Sequence, residues 1–111
     1  MKTFDDLIFQ EHELAISAKR VIERDPSLKD GYLGKLLNAK HAVINFDNGY
    51  GISVLFGTSF YSNGINTYES AALCNGVLCY DTPITDDVMG FLKKEEVSDM
   101  MKKIQELKAV I

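Results

Sequence analysis

Residues 41–80 alternate between short apolar stretches and turn residues. Asn-Gly occurs three times there, at Asn48-Gly49, Asn63-Gly64 and Asn75-Gly76. Asn and Gly accept the positive φ angles that tight hairpin turns need. The text around the turns is strand-like: "HAVINFD" and "YGISVLFG" flank the first, "NTYESAALC" and "VLCYD" the third. The stretch 57–65, "GTSFYSNGI", is a longer connection. The pattern predicts a four-stranded antiparallel meander over residues 41–81.

A two-residue turn at Asn48-Gly49 pairs Asp47 with Tyr50 and Asn45 with Ile52. It places Val43, Ile52, Val54 and Phe56 on one face, and Ala42, Ile44, Phe46 and Leu55 on the other. The third turn puts Ala72, Cys74, Val77 and Cys79 on one side, and Ala71, Leu73, Leu78 and Tyr80 on the other. Both faces then read as apolar. A solvated face would alternate with polar residues, so cover is expected on both sides, from helices or from a second subunit. A homodimer joined through a face or edge of the sheet follows as an expectation.

The ends of the chain have a helical period. In "EEVSDMMKKIQELKAVI", Val97, Met100, Met101, Ile104 and Leu107 recur at helical spacing, predicting an amphipathic helix over 94–109. Glu95 and Glu96 at its start and Lys108 near its end suit the helix dipole. In the N-terminal third, "TFDD" carries a Thr-x-x-Asp cap signature. Leu14, Ala18, Val21 and Ile22 follow a helical pattern that Asp25-Pro26 stops. Ser27 or Asp30 can cap a second segment, which Gly31 and Gly34 weaken. These segments can cover the second sheet face, which a second subunit could cover instead. The fold class is α+β, in one domain spanning 1–111.

Composition narrows the function classes. The 111 residues are 46% apolar and 25% charged, ordinary for one soluble domain. No apolar run approaches the length of a membrane span. The opening "MKTFDDLIFQEHE" turns acidic at once, unlike a secretory signal, and implies a cytoplasmic protein. The net charge is −4. Residues 41–80 hold only Asp47 and Glu69, with no Lys or Arg, so direct nucleic-acid binding is not expected. Cys74 and Cys79 lack further Cys or His at metal-ligand spacing and read as buried or half-buried thiols. No cofactor or metal is expected.

Two stretches could carry chemistry. The first is "YDTPITDDV". Asp81, Asp86 and Asp87 could hold a hard cation, but the spacing of a calcium loop is missing. Capping explains it better, with Thr85 as N-cap and the aspartates in a first helical turn. An acidic partner-binding surface is the secondary role. The second stretch is the aromatic and polar loop Phe60–Asn63, with Tyr68 nearby; tyrosine suits interfaces. The partner-binding candidates are thus Tyr61, Asn63, Tyr68, Asp81, Asp86 and Asp87. His12 and His41 show no local partner pattern, and no catalytic residue is assigned.

The segments "FDNGYGISVLFG", "FYSNG", "TYESAAL", "NGVLCYDTPITDDVMGFL" and "EEV…KIQEL" together resemble a family of small accessory proteins of tailed bacteriophages and prophages. The likeness covers about residues 42–107; "TFDDLIFQEH" also resembles the family's start, which makes residues 13–40 a helical insertion. The resemblance implies no enzyme activity. It implies a non-enzymatic protein of the bacterial host cytoplasm that occupies a host protein, such as part of a defence system. The alternative is a pocket for a nucleotide signal, with cations supplied only from Lys35, Lys40, Lys93 or Lys94 at the margins of the sheet.

Overall fold

The computed structural model describes residues 1–79 and 88–109. It is an α+β fold: an antiparallel sheet with a C-terminal helix packed on one face. The four strands of the meander are present as β2 (Lys40–Asn45), β3 (Tyr50–Phe56), β4 (Tyr68–Cys74) and β5 (Val77–Leu78). Two short strands extend the meander. β1 (Gln10–Glu11) pairs with the start of β2, and β6 (Met89–Leu92) pairs with the start of β4. The order is β1-β2-β3-β4-β5, with β6 beside β5 along β4. No helix among the described residues is long and apolar enough to cross a membrane.

The first hairpin departs from the expected register by one residue. Ile44 pairs with Ile52 and Ala42 with Val54, not Asn45 with Ile52. The loop holds three residues, Asp47, Asn48 and Gly49. The Gly49 N–H donates to the Phe46 carbonyl at 3.2 Å, and the Phe46 N–H to the Tyr50 carbonyl at 2.7 Å. Gly49 lies at φ 85, in the left-handed region. This is a type I turn closed by a glycine bulge, the usual three-residue hairpin. The extra loop residue flips β2 relative to β3. Ala42, Ile44 and Phe46 therefore join Ile52, Val54 and Phe56 on one face. The third Asn-Gly behaves as expected: Asn75 (φ 52) and Gly76 (φ 83) form a two-residue turn that pairs Cys74 with Val77 and Leu73 with Leu78. Cys74 is half-buried and Cys79 buried.

One face of the sheet is sealed. Helix α3 (Lys94–Gln105) lays Val97, Met100, Met101 and Ile104 onto Ala42, Ile52, Val54, Ala72 and Leu92, with Leu7 completing the buried cluster. The helix is anchored at both ends. Glu96 Oε1 accepts the Lys93 N–H at 3.1 Å at the N-terminus. At the C-terminus Asn48 Nδ2 donates to the carbonyls of Ile104 (2.9 Å) and Leu107 (3.2 Å). Ile104 lies in the last turn of α3, where its carbonyl also accepts the Leu107 N–H, and Leu107 lies just beyond the C-cap Glu106. Gln105 exchanges two hydrogen bonds with the backbone of Lys2, and Ser98 Oγ accepts the Phe4 N–H. The N-terminal turn Phe4–Asp6 is thereby tied to α3. Its Thr3 N–H donates to the Asp6 carboxylate at 2.8 Å, as the Thr-x-x-Asp spacing predicts.

Of the covers open for the second face, the N-terminal helices do not supply it. Helix α1 (Glu13–Arg24) packs instead on α2 (Tyr32–Leu36) and on the 3-10 turn Pro26–Asp30. Its buried stripe is narrow and small, Ala15 and Ala18, while Leu14, Ile16 and Val21 stay exposed. Such a stripe offers little apolar area to a sheet, and the helices close on one another. The molecule is correspondingly elongated, 51 × 24 × 23 Å.

Two outcomes test this packing by chemical denaturation. Ile104, which is fully buried, should lose about 2–5 kcal/mol of stability as Ile104→Ala, whereas exposed Lys103→Ala should change it by less than about 0.5 kcal/mol. Asn48→Ala should cost about 1–2 kcal/mol by removing the side-chain hydrogen bonds that tie the turn to the C-terminal end of α3. Asn48→Asp should cost more, because it also places a negative charge at the negative end of the helix.

Candidate functional site

The register gives the face opposite α3 a definite pattern; it is exposed only in part, with Val43 and Leu78 open and Ala71 and Leu73 buried. Side chains stand on it in three cross-strand rows. The first is His41, Leu55 and Glu69; the second is Val43, Ser53 and Ala71; the third is Asn45, Gly51, Leu73 and Leu78. Neighbouring strands are about 4.8 Å apart, so each row is one band of contiguous side chains. Leucine, valine and alanine form the middle, and polar groups stand at the ends of the first row. Val43 and Leu78 are exposed, at 45% and 44%. The surface is a trough of about 470 Å³ that also touches His12, Val77 and Val88. A second hollow of about 480 Å³ adjoins it at the β1 edge and shares His12, His41 and Val43 with it.

At the β1 end the two histidines meet, their ring centroids 5.7 Å apart, and His12 also lies 5.1 Å from the Phe60 ring. His12 caps α1: its Nδ1 accepts the Leu14 N–H at 3.0 Å, which leaves the ring proton on Nε2. His41 Nε2 lies 2.8 Å from Ser53 Oγ. Partial burial, then the neighbouring His12, holds His41 below the ordinary imidazole value, with Glu13 pulling weakly the other way. Close by on the edge, Glu11 pairs with Lys19, and that hydrogen bond, with the charges of Lys19 and Lys40, lowers its carboxyl.

The Ser53–His41 contact has the reach of a nucleophile and base. Its setting does not suit acyl transfer. Ser53 is in the middle of β3, which is paired on both sides, so the amides beside it are already used in the ladders. Among the described residues there is no group of three metal-ligating side chains. The residues lining the trough include Glu69 but neither Lys nor Arg. That lining suits apolar and cationic groups and repels phosphate.

At the β4 end the chain presents aromatics. Tyr61 and Phe91 are 60% and 59% exposed, with ring centroids 6.3 Å apart. The Tyr61 N–H donates to Glu69 Oε1 at 3.1 Å, and its carbonyl accepts the Phe91 N–H at 2.8 Å. The expected partner-binding residues therefore separate. Tyr61 lies at the rim of the open face. Asn63 turns its Oδ1 inward to the N–H groups of Ile65, Asn66 and Thr67, holding its own loop. Tyr68 stands on the sealed face against Phe4, Phe9 and Phe56, where burial raises its phenol above the ordinary value. Asp81, Asp86, Asp87 and the Thr85 cap lie outside the described residues. His41, Ser53, Leu55 and Glu69 were not singled out from sequence. Their alternation with Ala42, Val54 and Ser70 was the available signal, hidden by the one-residue error in register.

No family model, curated protein or solved structure matches the chain at a significant level.

The depressed value of His41 has a pH consequence. The unfolded chain, with imidazole near 6.5, takes up this proton before the folded one does as pH falls. The contribution of His41 to stability is thus complete above the unfolded value and is lost as pH falls through the folded one. Thermal melts from pH 7 to 5 should show a decline that is shallower in His41→Gln. Parallel curves for the two proteins would contradict this.

Proposed function

We propose that this chain is a non-enzymatic binding protein whose partly exposed sheet face, the one opposite α3, receives a partner protein. The observation that carries the reading is the asymmetry of the sheet: one face is closed by α3, while the other leaves Val43, Leu55 and Leu78 in a continuous trough with a polar rim. Apolar surface framed by polar groups is the common form of a protein interface. Combined with the resemblance to tailed-phage and prophage proteins, the reading becomes an accessory protein in the bacterial cytoplasm that occupies a host protein, with a defence component as the expected target. A nucleotide signal fits the face less well, since Glu69 lines it and would repel phosphate. A second copy of the chain is the competing occupant of the same surface.

The test is affinity purification from a bacterial host, followed by rebinding with the purified candidate. Wild type and the off-face control Ile16→Glu should bind the same host protein. Leu55→Glu should weaken that binding at least about tenfold, since burying an unpaired charge costs more than 1.4 kcal/mol. Its circular dichroism should remain that of the wild type. Full retention of binding by Leu55→Glu would place the contact elsewhere. Light scattering separates the competing occupant: a dimer mass that Leu55→Glu reduces to a monomer would assign the face to self-association.

A further inference from the structure

Beside the trough, a register shift between β4 and β6 sets Gly90 and Phe91 together opposite Glu69, and such a bulge re-aims a side chain. Phe91 adopts φ 54. Bulky residues rarely occupy that region, and residues held there cluster at binding sites. The ring gains little burial in return, being 59% exposed. Gly90, just before it, has no room for a side chain: a Cβ there would lie 2.6 Å from the Cβ of Tyr61. The backbone of Tyr61 is held from both sides, by Glu69 Oε1 and by the Phe91 N–H. Three residues distant in sequence are thus fixed side by side, with two rings facing solvent and one carboxylate between the rim and the trough.

The charge of Glu69 is also unbalanced. It is one of two acidic residues between positions 41 and 80, a stretch with no Lys or Arg. Among the described residues the ion pair is Lys19 with Glu11, at the opposite edge of the sheet. A carboxylate beside exposed aromatic faces matches a cationic side chain, above all a guanidinium. Arginine stacks flat on a ring and directs its N–H groups sideways to a carboxylate. The apolar rows beside it match aliphatic neighbours of that arginine on an extended segment.

We propose that Tyr61, Phe91 and Glu69 form the receiving site for an arginine of the partner protein, flanked by apolar residues that lie on the Val43, Leu55 and Leu78 surface. This rests on the reading of the open face as a protein-binding surface. Glu69 would supply the charge, Phe91 and Tyr61 the stacking faces, and the strained Gly90-Phe91 backbone the placement.

Nuclear magnetic resonance titration of the full chain with two defined peptides, acetyl-Ile-Arg-Ile-amide and acetyl-Ile-Gln-Ile-amide, tests the two layers separately. The arginine peptide should shift the amides of Tyr61, Glu69 and Phe91 and bind about tenfold more tightly than the glutamine peptide, the worth of one charge-assisted and cation–π contact. Both peptides should shift Val43 and Leu55. Glu69→Gln keeps an acceptor for the Tyr61 N–H and removes only the charge; it should bring the arginine peptide down to the affinity of the glutamine peptide. Phe91→Gly, which relieves the φ 54 backbone, should fold at least as stably and also lose the preference for arginine. Equal binding of both peptides, with shifts confined to Val43 and Leu55, would overturn the arginine site and leave the protein-binding face standing. An arginine preference unchanged in Glu69→Gln would overturn it as well. Absence of shifts anywhere on the sheet with either peptide would overturn both.

Discussion

The three-residue turn Asp47-Asn48-Gly49 is the constraint on which the rest of this structure depends. Gly49 at φ 85 closes the bulge and determines which residues of β2 stand beside which residues of β3. From that register one face gathers Ala42, Ile44, Ile52 and Val54, and the other His41, Val43, Ser53 and Leu55. Asn48 then joins the turn to the helix. Its amide donates to the terminal carbonyls of α3, and its Oδ1 accepts the Tyr50 N–H at 3.1 Å. One loop thus sets the polarity of the sheet and holds the helix that seals it.

The asymmetry of the two faces follows from this. Burial of Val97, Met100, Met101 and Ile104 against the helix-side row supplies the main apolar core. The N-terminal turn is recruited to the same side through Gln105 and Ser98. The helices over residues 13–36 are left to pack among themselves, because their small alanine stripe is satisfied by α2 and the 3-10 turn. The main core is therefore confined to one side of a thin sheet. A substitution such as Leu55→Glu can change the open face with little cost to the core behind it.

The open face is chemically graded from one end to the other. Two histidines meet at the β1 end, aliphatic side chains fill the middle, and an anionic, aromatic rim closes the β4 end. Under the proposed binding role, a partner's cation at Glu69 would place a neighbouring apolar group on Leu55. The lowered value of His41 favours the neutral form of that imidazole.

Local chemistry alone determined much of this protein. The Asn-Gly punctuation located the hairpins and the long connection, and the 3.6-residue spacing of Val97, Met100, Met101 and Ile104 identified the docked helix and its buried face. These signals are short-range and depend on few residues. The side on which each β2 residue stands was beyond such reading, because two- and three-residue turns share the same Asn-Gly and differ only in the hydrogen bonds of Phe46 and Tyr50. The short strands β1 and β6 were likewise invisible, since two to four residues have no period and exist only by pairing with β2 and β4. Tertiary structure also decided the site. Tyr68 and Tyr61 are equivalent aromatic residues in the sequence, yet the first is enclosed by Phe4, Phe9 and Phe56 and the second stands exposed beside Phe91 and Glu69. What separates them is which face of the sheet and which distant segment each meets, and no neighbouring residue along the chain encodes that.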